Sequence, residues 1–198
     1  GVTEEELYIE FNRTIASQGG LPRFTFIKFG RNGVGGQVKS NRTPLAKGDN
    51  IWFDVGCVYE GYWSDLARTF AFGEPSPRVA KLYEAMRVGE ERAILDTRPG
   101  MTGGDVFRLT MEATREAGAP HYQRHHVGHG IGAEVYEQPI LADANTVEIE
   151  AGMVLNTETP YYEFGTGGIH VEDPFVVGAD GKNELLTTLG RELHVIEP

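Results

Sequence analysis

Cysteine is nearly missing: Cys57 stands alone in 198 residues, which excludes an internal disulfide framework. It lies in a strand-like run with no histidine at nucleophile spacing and reads as a buried structural thiol. No run of about 18 apolar residues occurs, so the sequence offers no membrane span. Base is scarce too, with 18 Lys and Arg against 29 Asp and Glu and a formal net charge of -11. That balance argues against nucleic acid as a partner, since phosphate binding leaves a basic footprint. No signal peptide precedes the first helix pattern, so a cytoplasmic setting is expected. No internal repeat at a period of about 20 to 50 residues is present, which excludes a solenoid.

What is present is ordinary for a folded soluble chain: 40% hydrophobic and 24% charged residues. The length suits one domain with a sizeable core. The acidic excess has two readings, a solvated surface or carboxylates clustered to hold cations, and position must decide between them.

Thr3 followed by Glu4, Glu5 and Glu6 reads as a helix cap with a capping-box glutamate, and Leu7, Phe11 and Ile15 supply an apolar stripe that ends at Gly19-Gly20. Phe24 to Phe29 reads as a strand, and Arg31 to Gly36 as a glycine-rich loop without Walker spacing. After a turn at Lys47-Gly48-Asp49, two runs of strand formers, Asn50 to Tyr59 and Tyr62 to Phe72, form a hairpin. A long helix opens at Ser76 or Pro77 and runs to Pro99-Gly100, and a shorter one spans Asp105 to Glu116. The stretches His121 to Gly132 and Glu134 to Pro139 read as irregular or short extended structure. Met153 to Glu158 and Ile169 to Val177 pair around Gly165, and a closing hairpin falls near Asp180-Gly181. The order is hairpin, helices, hairpin.

A first hairpin centred on the Tyr59-Glu60 bond sets Asp54 opposite Asp65, and one centred on Gly165 sets Glu158 opposite Glu172. Opposed like charges destabilise a sheet, and these acids lie among residues expected to be buried, such as Ile51-Trp52-Phe53 and Met153-Val154-Leu155. Each alone reads as a solvated strand residue; two opposed pairs need cations, and Arg68 is able to neutralise only one acid. His129, between Gly128 and Gly130, adds one nitrogen to four carboxylates, a set suited to Mn, Co, Fe or Zn. Two divalent ions would balance the charge.

These residues resemble those of the pita-bread metallopeptidases, the family of methionine aminopeptidases, Xaa-Pro dipeptidases, aminopeptidase P and creatinase-like proteins. The match runs from Gly1-Val2-Thr3-Glu4 through Gly48-Asp49-Asn50-Ile51-Trp52-Phe53-Asp54-Val55-Gly56, Tyr62-Trp63-Ser64-Asp65-Leu66-Ala67-Arg68-Thr69 and Gly128-His129-Gly130-Ile131-Gly132 to Glu158-Thr159-Pro160 and Val171-Glu172-Asp173. The resemblance implies an α+β pita-bread fold, with a pseudo-symmetric curved antiparallel sheet backed by helices. It implies two divalent metal ions on Asp54, Asp65, His129, Glu158 and Glu172. It also implies hydrolysis of a peptide or amide bond in a small substrate by a metal-bridging hydroxide, of the Xaa-Pro dipeptidase type. Residues 1-198 then form one catalytic domain, with a helix or N-terminal domain expected upstream of Gly1, and a homodimer is the expected assembly.

The departures concern substrate. The family histidine before the first ligand falls at Gln37, the one seven residues after the metal-binding histidine falls at Tyr136, and an arginine two residues before the last glutamate falls at His170. The resemblance gives Glu158 the proton transfer and His125, four residues before His129, a place in the pocket. Tyr136 is then a candidate oxyanion donor, and Gln37 and His170 are candidate substrate contacts; His121 and His126 read as structural. Two rival readings stand beside peptide hydrolysis: C-N hydrolysis of a small metabolite, similar to creatinase or ectoine hydrolase, and a noncatalytic binding module.

Overall fold

A computed structural model describes residues 1–198. Helix α1 (Glu4–Ser17) opens on the expected box, in which Thr3 accepts from the Glu6 amide while Glu6 accepts from the Thr3 amide. Strand β1 (Leu21–Phe29) starts earlier than expected, and the glycine-rich segment after it forms a short 3-10 turn, Gly30–Gly35. Strands β2 (Asn50–Tyr59) and β3 (Tyr62–Phe72) make the first hairpin. Helix α2 (Pro77–Asp96), capped by Ser76, stops short of Pro99 because proline disfavours helical geometry in the residue before it. Helix α3 (Gly103–Glu116) starts at a Thr102/Asp105 capping box.

The second half holds β4 (Gly128–Gly130), β5 (Glu137–Ile140), β6 (Val154–Glu158), β7 (Tyr161–Glu163), β8 (Gly167–Ile169) and β9 (Glu172–Val176). The run expected as one strand from Ile169 to Val177 is therefore split into β8 and β9. Two short strands follow, β10 (Glu184–Leu185) against β9 and β11 (His194–Ile196) against β3. The main sheet is ordered β1-β2-β3-β9-β6-β4-β5, a curled antiparallel half-barrel.

Period-two alternation gives the sheet two unlike faces. In β6 and β9, Leu155 and Phe175 are paired and enter the main core with Leu82, Met86, Ala93 and Val106 of α2 and α3. In β1 and β2, Ile27, Phe29 and Ile51 pack with Leu7, Tyr8 and Phe11 of α1. One helix layer thus backs each half of the sheet. The other face carries Asp54, Glu158 and Glu172.

The first hairpin departs from the expected register. Its loop is Glu60-Gly61, with φ of 49° and 90°, the positive angles that a two-residue hairpin turn requires. Tyr59 then pairs with Tyr62, Asp54 with Ala67 and Asp65 with Gly56. Asp54 and Asp65 are diagonal neighbours rather than direct partners. Moving the centre by one residue shifts partners by two, so both acids keep the face they share. The second pair is as expected, with Glu158 directly opposite Glu172. Cys57 is half-buried rather than buried, with Sγ 3.2 Å from Ser64 Oγ.

Candidate metal centre

One row of residues crosses five strands: Phe26, Asp54, Ala67, Glu172 and Glu158 are successive cross-strand partners. Cross-strand partners share a face. Ala67, fully buried, is the small member between two acids and leaves room above the sheet. Asp65 lies two positions along β3 from Ala67, and His129 pairs with Asn156, two positions along β6 from Glu158. Period-two geometry brings all five residues to one concavity.

The glycines beside His129 are needed for this approach. A Cβ at Gly128, where φ is 140°, would overlap the Asn156 carbonyl oxygen, and one at Gly130 would lie 2.6 Å from the Gln138 carbonyl oxygen. His129 Nδ1 stands 2.9 Å from the Gly130 carbonyl. A carbonyl only accepts, so Nδ1 carries the proton and Nε2 keeps its lone pair. Nε2 is buried, has no hydrogen-bond partner in the protein, and points to Asp65 Oδ2 at 3.6 Å.

Amide side chains orient two of the acids. Gln37 Nε2 donates to Asp54 Oδ2 at 3.0 Å, and Asn156 Nδ2 donates to Glu172 Oε1 at 2.6 Å. Asp65 Oδ1 is buried with no partner. Arg68 does not neutralise any of the four: its guanidinium is 2.6 Å from Asp173, with further bonds to the carbonyls of Ala67, Glu172, Leu189 and Gly190. Arg68 therefore takes no charge from the cavity.

Electrostatics show the consequence. Burial pushes Asp54 up to about 6, with Asp65 and Glu158 adding to the rise against the opposing effect of His170 and Gln37. Burial raises Glu172 well above the usual carboxylate range, aided by Asp65, Glu158 and Asp54. Burial also raises Asp65. Glu158 behaves differently: burial pushes it up, but His170, His126 and Arg124 outweigh that and hold it down to about 2. Burial lowers His129, yet its contact with Asp65 prevails and the net shift is upward. Excess buried negative charge with bare lone pairs is the signature of a cation site.

The donor atoms are already gathered. Asp65, His129 and Glu172 offer atoms within 4.8 Å of one another, and so do Glu158, His170 and Glu172. Glu172 belongs to both groups, as a carboxylate shared by two ions would. Asp54 lies outside both groups, though it lines the same cavity.

His170 is thus found among the ligand candidates rather than at the cavity rim. Tyr136 stacks on the His129 ring with centroids 3.8 Å apart. Burial raises its hydroxyl pKa, with the four carboxylates adding to the rise. His125 is a correction: it is exposed and lines a different depression with Phe107, Met111 and Arg115. His126 takes its place, with Nδ1 3.2 Å from Glu158 Oε1 and its ring edge-on to Tyr136. The resemblance implied a pocket place for His125, but residues 122–127 are not in a strand, and there the chain turns the neighbouring His126 toward Glu158 instead. Arg124, 3.7 Å from Glu158, is a second residue that sequence reasoning passed over.

The cavity has two unlike ends. One, about 230 Å³, includes Phe24, Phe26 and Val135; the other, about 320 Å³, includes Arg124, His126, Tyr162 and His170. Asp54, Gln37, Tyr136 and Glu158 line both.

Comparison with known proteins agrees with this geometry. The model of metallopeptidase family M24 matches residues 1–179. An Xaa-Pro dipeptidase of Lactobacillus delbrueckii subsp. lactis is 32% identical over 199 residues, covering 99% of this chain and 54% of that protein. Among solved structures, dipeptidase PepE from Mycobacterium ulcerans superposes with a TM-score of 0.94 at 32% identity, over 100% of this chain and 54% of that one. The X-Pro aminopeptidase from Thermotoga maritima MSB8 gives 0.91 at 31% identity, over 99% and 55%. The chain spans about half the length of the curated relatives it matches. The shared architecture is the pita-bread fold that the resemblance implied.

Proposed function

The chain belongs to metallopeptidase family M24, and from that premise we propose that it is the catalytic part of a two-metal hydrolase that cleaves a peptide or amide bond of a small substrate, of the Xaa-Pro dipeptidase type. The observation that carries the proposal is the pair of buried donor groups sharing Glu172, one with the bare His129 Nε2. Asp54, Asp65, His129, Glu158 and Glu172 would hold the ions. When bound, such ions polarise a carbonyl and make water acidic enough to attack near neutral pH.

The protein's own residues divide the remaining work. Glu158, held ionised by Arg124, His126 and His170, is the base that takes a proton from the attacking water and passes it to the leaving nitrogen. Gln37 holds one oxygen of Asp54 through its side-chain amide. Tyr136, fixed against His129, offers its hydroxyl as a hydrogen-bond donor at the cavity wall.

The two ends of the cavity suit a short peptide. The stacked pair Phe24 and Phe26, centroids 6.0 Å apart, favours an apolar side chain. Arg124 is the only lysine or arginine lining either end, and its buried Nε has no partner in the protein. It is placed to receive a free carboxylate. Cavities of about 230 and 320 Å³ admit a dipeptide-sized substrate. Turnover of Ala-Pro, Met-Ala and an ectoine-type cyclic amide by Mn- or Co-reconstituted protein tests the reading. Cleavage of Ala-Pro is expected; cleavage of the cyclic amide alone would favour C-N hydrolysis of a small metabolite.

A further inference from the structure

His170 lies inside the cavity, beside both Glu158 and Glu172. The residue is 2% exposed, and neither ring nitrogen has a hydrogen-bond partner in the protein. A buried imidazole with two bare nitrogens has lost its water without gaining a partner, a cost that a ligand at the nitrogen would remove. The surroundings nonetheless hold it firmly. Its backbone N–H donates to Thr69 Oγ1 at 2.8 Å, and the Thr69 hydroxyl donates back to the His170 carbonyl at 3.3 Å. Trp52 lies nearly parallel to the ring, at 12° and 6.0 Å between centroids.

The Nε2 atom is 3.5 Å from Glu158 Oε2 and 3.6 Å from Glu172 Oε2. These distances are long for hydrogen bonds and short for independent groups. Two donors each about 2.1 Å from one ion, a tetrahedral angle apart, stand about 3.4 Å from each other. The Asp65–His129 spacing in the other donor group is 3.6 Å. The two groups thus have the same form: one imidazole, one carboxylate of their own, and the shared Glu172.

Resting on the two-metal reading above, we infer that His170 is a metal ligand, supplying Nε2 to the ion held by Glu158 and Glu172. Each ion then has an imidazole donor, His129 for one and His170 for the other. A second nitrogen moves the Glu158 side away from purely oxygen coordination and toward borderline ions such as Co and Zn over Mg or Mn. The substitution at this position adds a ligand; it does not exchange one substrate contact for another.

Titration of the metal-free protein with Co(II), followed by calorimetry and visible absorption, reads this directly. The wild type is expected to bind two Co(II) per chain. His170→Ala is expected to keep one tight site and to weaken the other by more than about 100-fold, beyond the loss typical of residues that only support a ligand. His129→Ala should weaken the opposite site. NMR of Co(II)-loaded wild type needs no variant and should show hyperfine-shifted imidazole N–H signals from two histidines. Two tight sites in His170→Ala, or signals from only one histidine, would overturn the assignment and leave the two-metal reading standing. Failure of the wild type to bind any Co(II) would overturn both.

Discussion

Glu172 stands directly opposite Glu158 in the sheet, both nearly fully buried. Two carboxylates at that spacing repel each other, and no Lys or Arg bonds to Glu172's side chain. The pair is stable in one of two ways: a proton kept on Glu172, toward which its raised pKa points, or a cation between the acids. The choice makes the fold sensitive to both pH and metal.

Stability of the metal-free protein should therefore fall as pH rises. A carboxyl whose folded pKa is raised contributes fully below its unfolded value and loses that contribution as pH climbs through the folded one. For Asp54 the window runs from 3.8 to about 6, worth about 3 kcal/mol at most. Glu172 and Asp65 shift in the same direction, and His129, also raised, loses its contribution as pH rises. Two groups of the cavity have the opposite sign: Glu158, whose window, from about 2 to 4.5, is complete below pH 5, and His126, lowered by burial from 6.5, which offsets part of the fall. Thermal melts at pH 5 and pH 7.5 should show the metal-free form more stable at pH 5, with added Mn or Co raising Tm at pH 7.5 by about 5–10 °C near 100-fold excess over Kd.

Glu172→Gln separates charge from shape. The variant keeps the volume, relieves the opposed charge and removes the carboxylate shared by both donor groups. In the metal-free state its Tm at pH 7.5 should match or exceed that of the wild type, while its metal affinity is lost. A lower metal-free Tm would show that the opposed charges are not a burden on the fold.

Gly128→Ala should do structural damage out of proportion to one methyl group. The new Cβ meets the Asn156 carbonyl at a φ of 140°, so β4 must shift and carry His129 with it. A loss of about 2 kcal/mol or more in denaturant unfolding, together with weakened metal binding, is expected. An unchanged unfolding midpoint would show that β4 has more freedom than its contacts with β6 imply.

Arg124→Ala should discriminate between substrates. If the guanidinium receives a free carboxylate, the variant raises KM for Ala-Pro by about 10- to 100-fold, as the loss of a charged hydrogen bond would, and leaves Ala-Pro amide nearly unaffected. Equal losses on both would place Arg124 in support of Glu158 only.

Much of this centre was legible in the sequence because sheet geometry is periodic. Asp54 and Asp65 share a face at any register that differs by two, so the error in the first hairpin's centre left their grouping intact. The centre lies one residue further along because Glu60-Gly61 takes the positive φ values of a two-residue turn, and these set the pairing. Gly165 at the tip of the second hairpin, with φ of 86°, gave Glu158 and Glu172 their true register. Parity fails outside strands: in the bends before Gly128, His126 rather than His125 faces Glu158. The tasks of Arg68 and Arg124 were beyond sequence reading as well. Each depends on a partner distant along the chain, Asp173 for one and Glu158 for the other.

Elemental analysis of protein dialysed against Mn(II) or Co(II) tests the central claim most directly, read beside Asp65→Ala and Glu172→Ala. Two ions per chain in the wild type, with Asp65→Ala and Glu172→Ala each losing at least one, is the result expected of donor groups that share Glu172. No bound ion in the wild type, or full metal content in either variant, would contradict it.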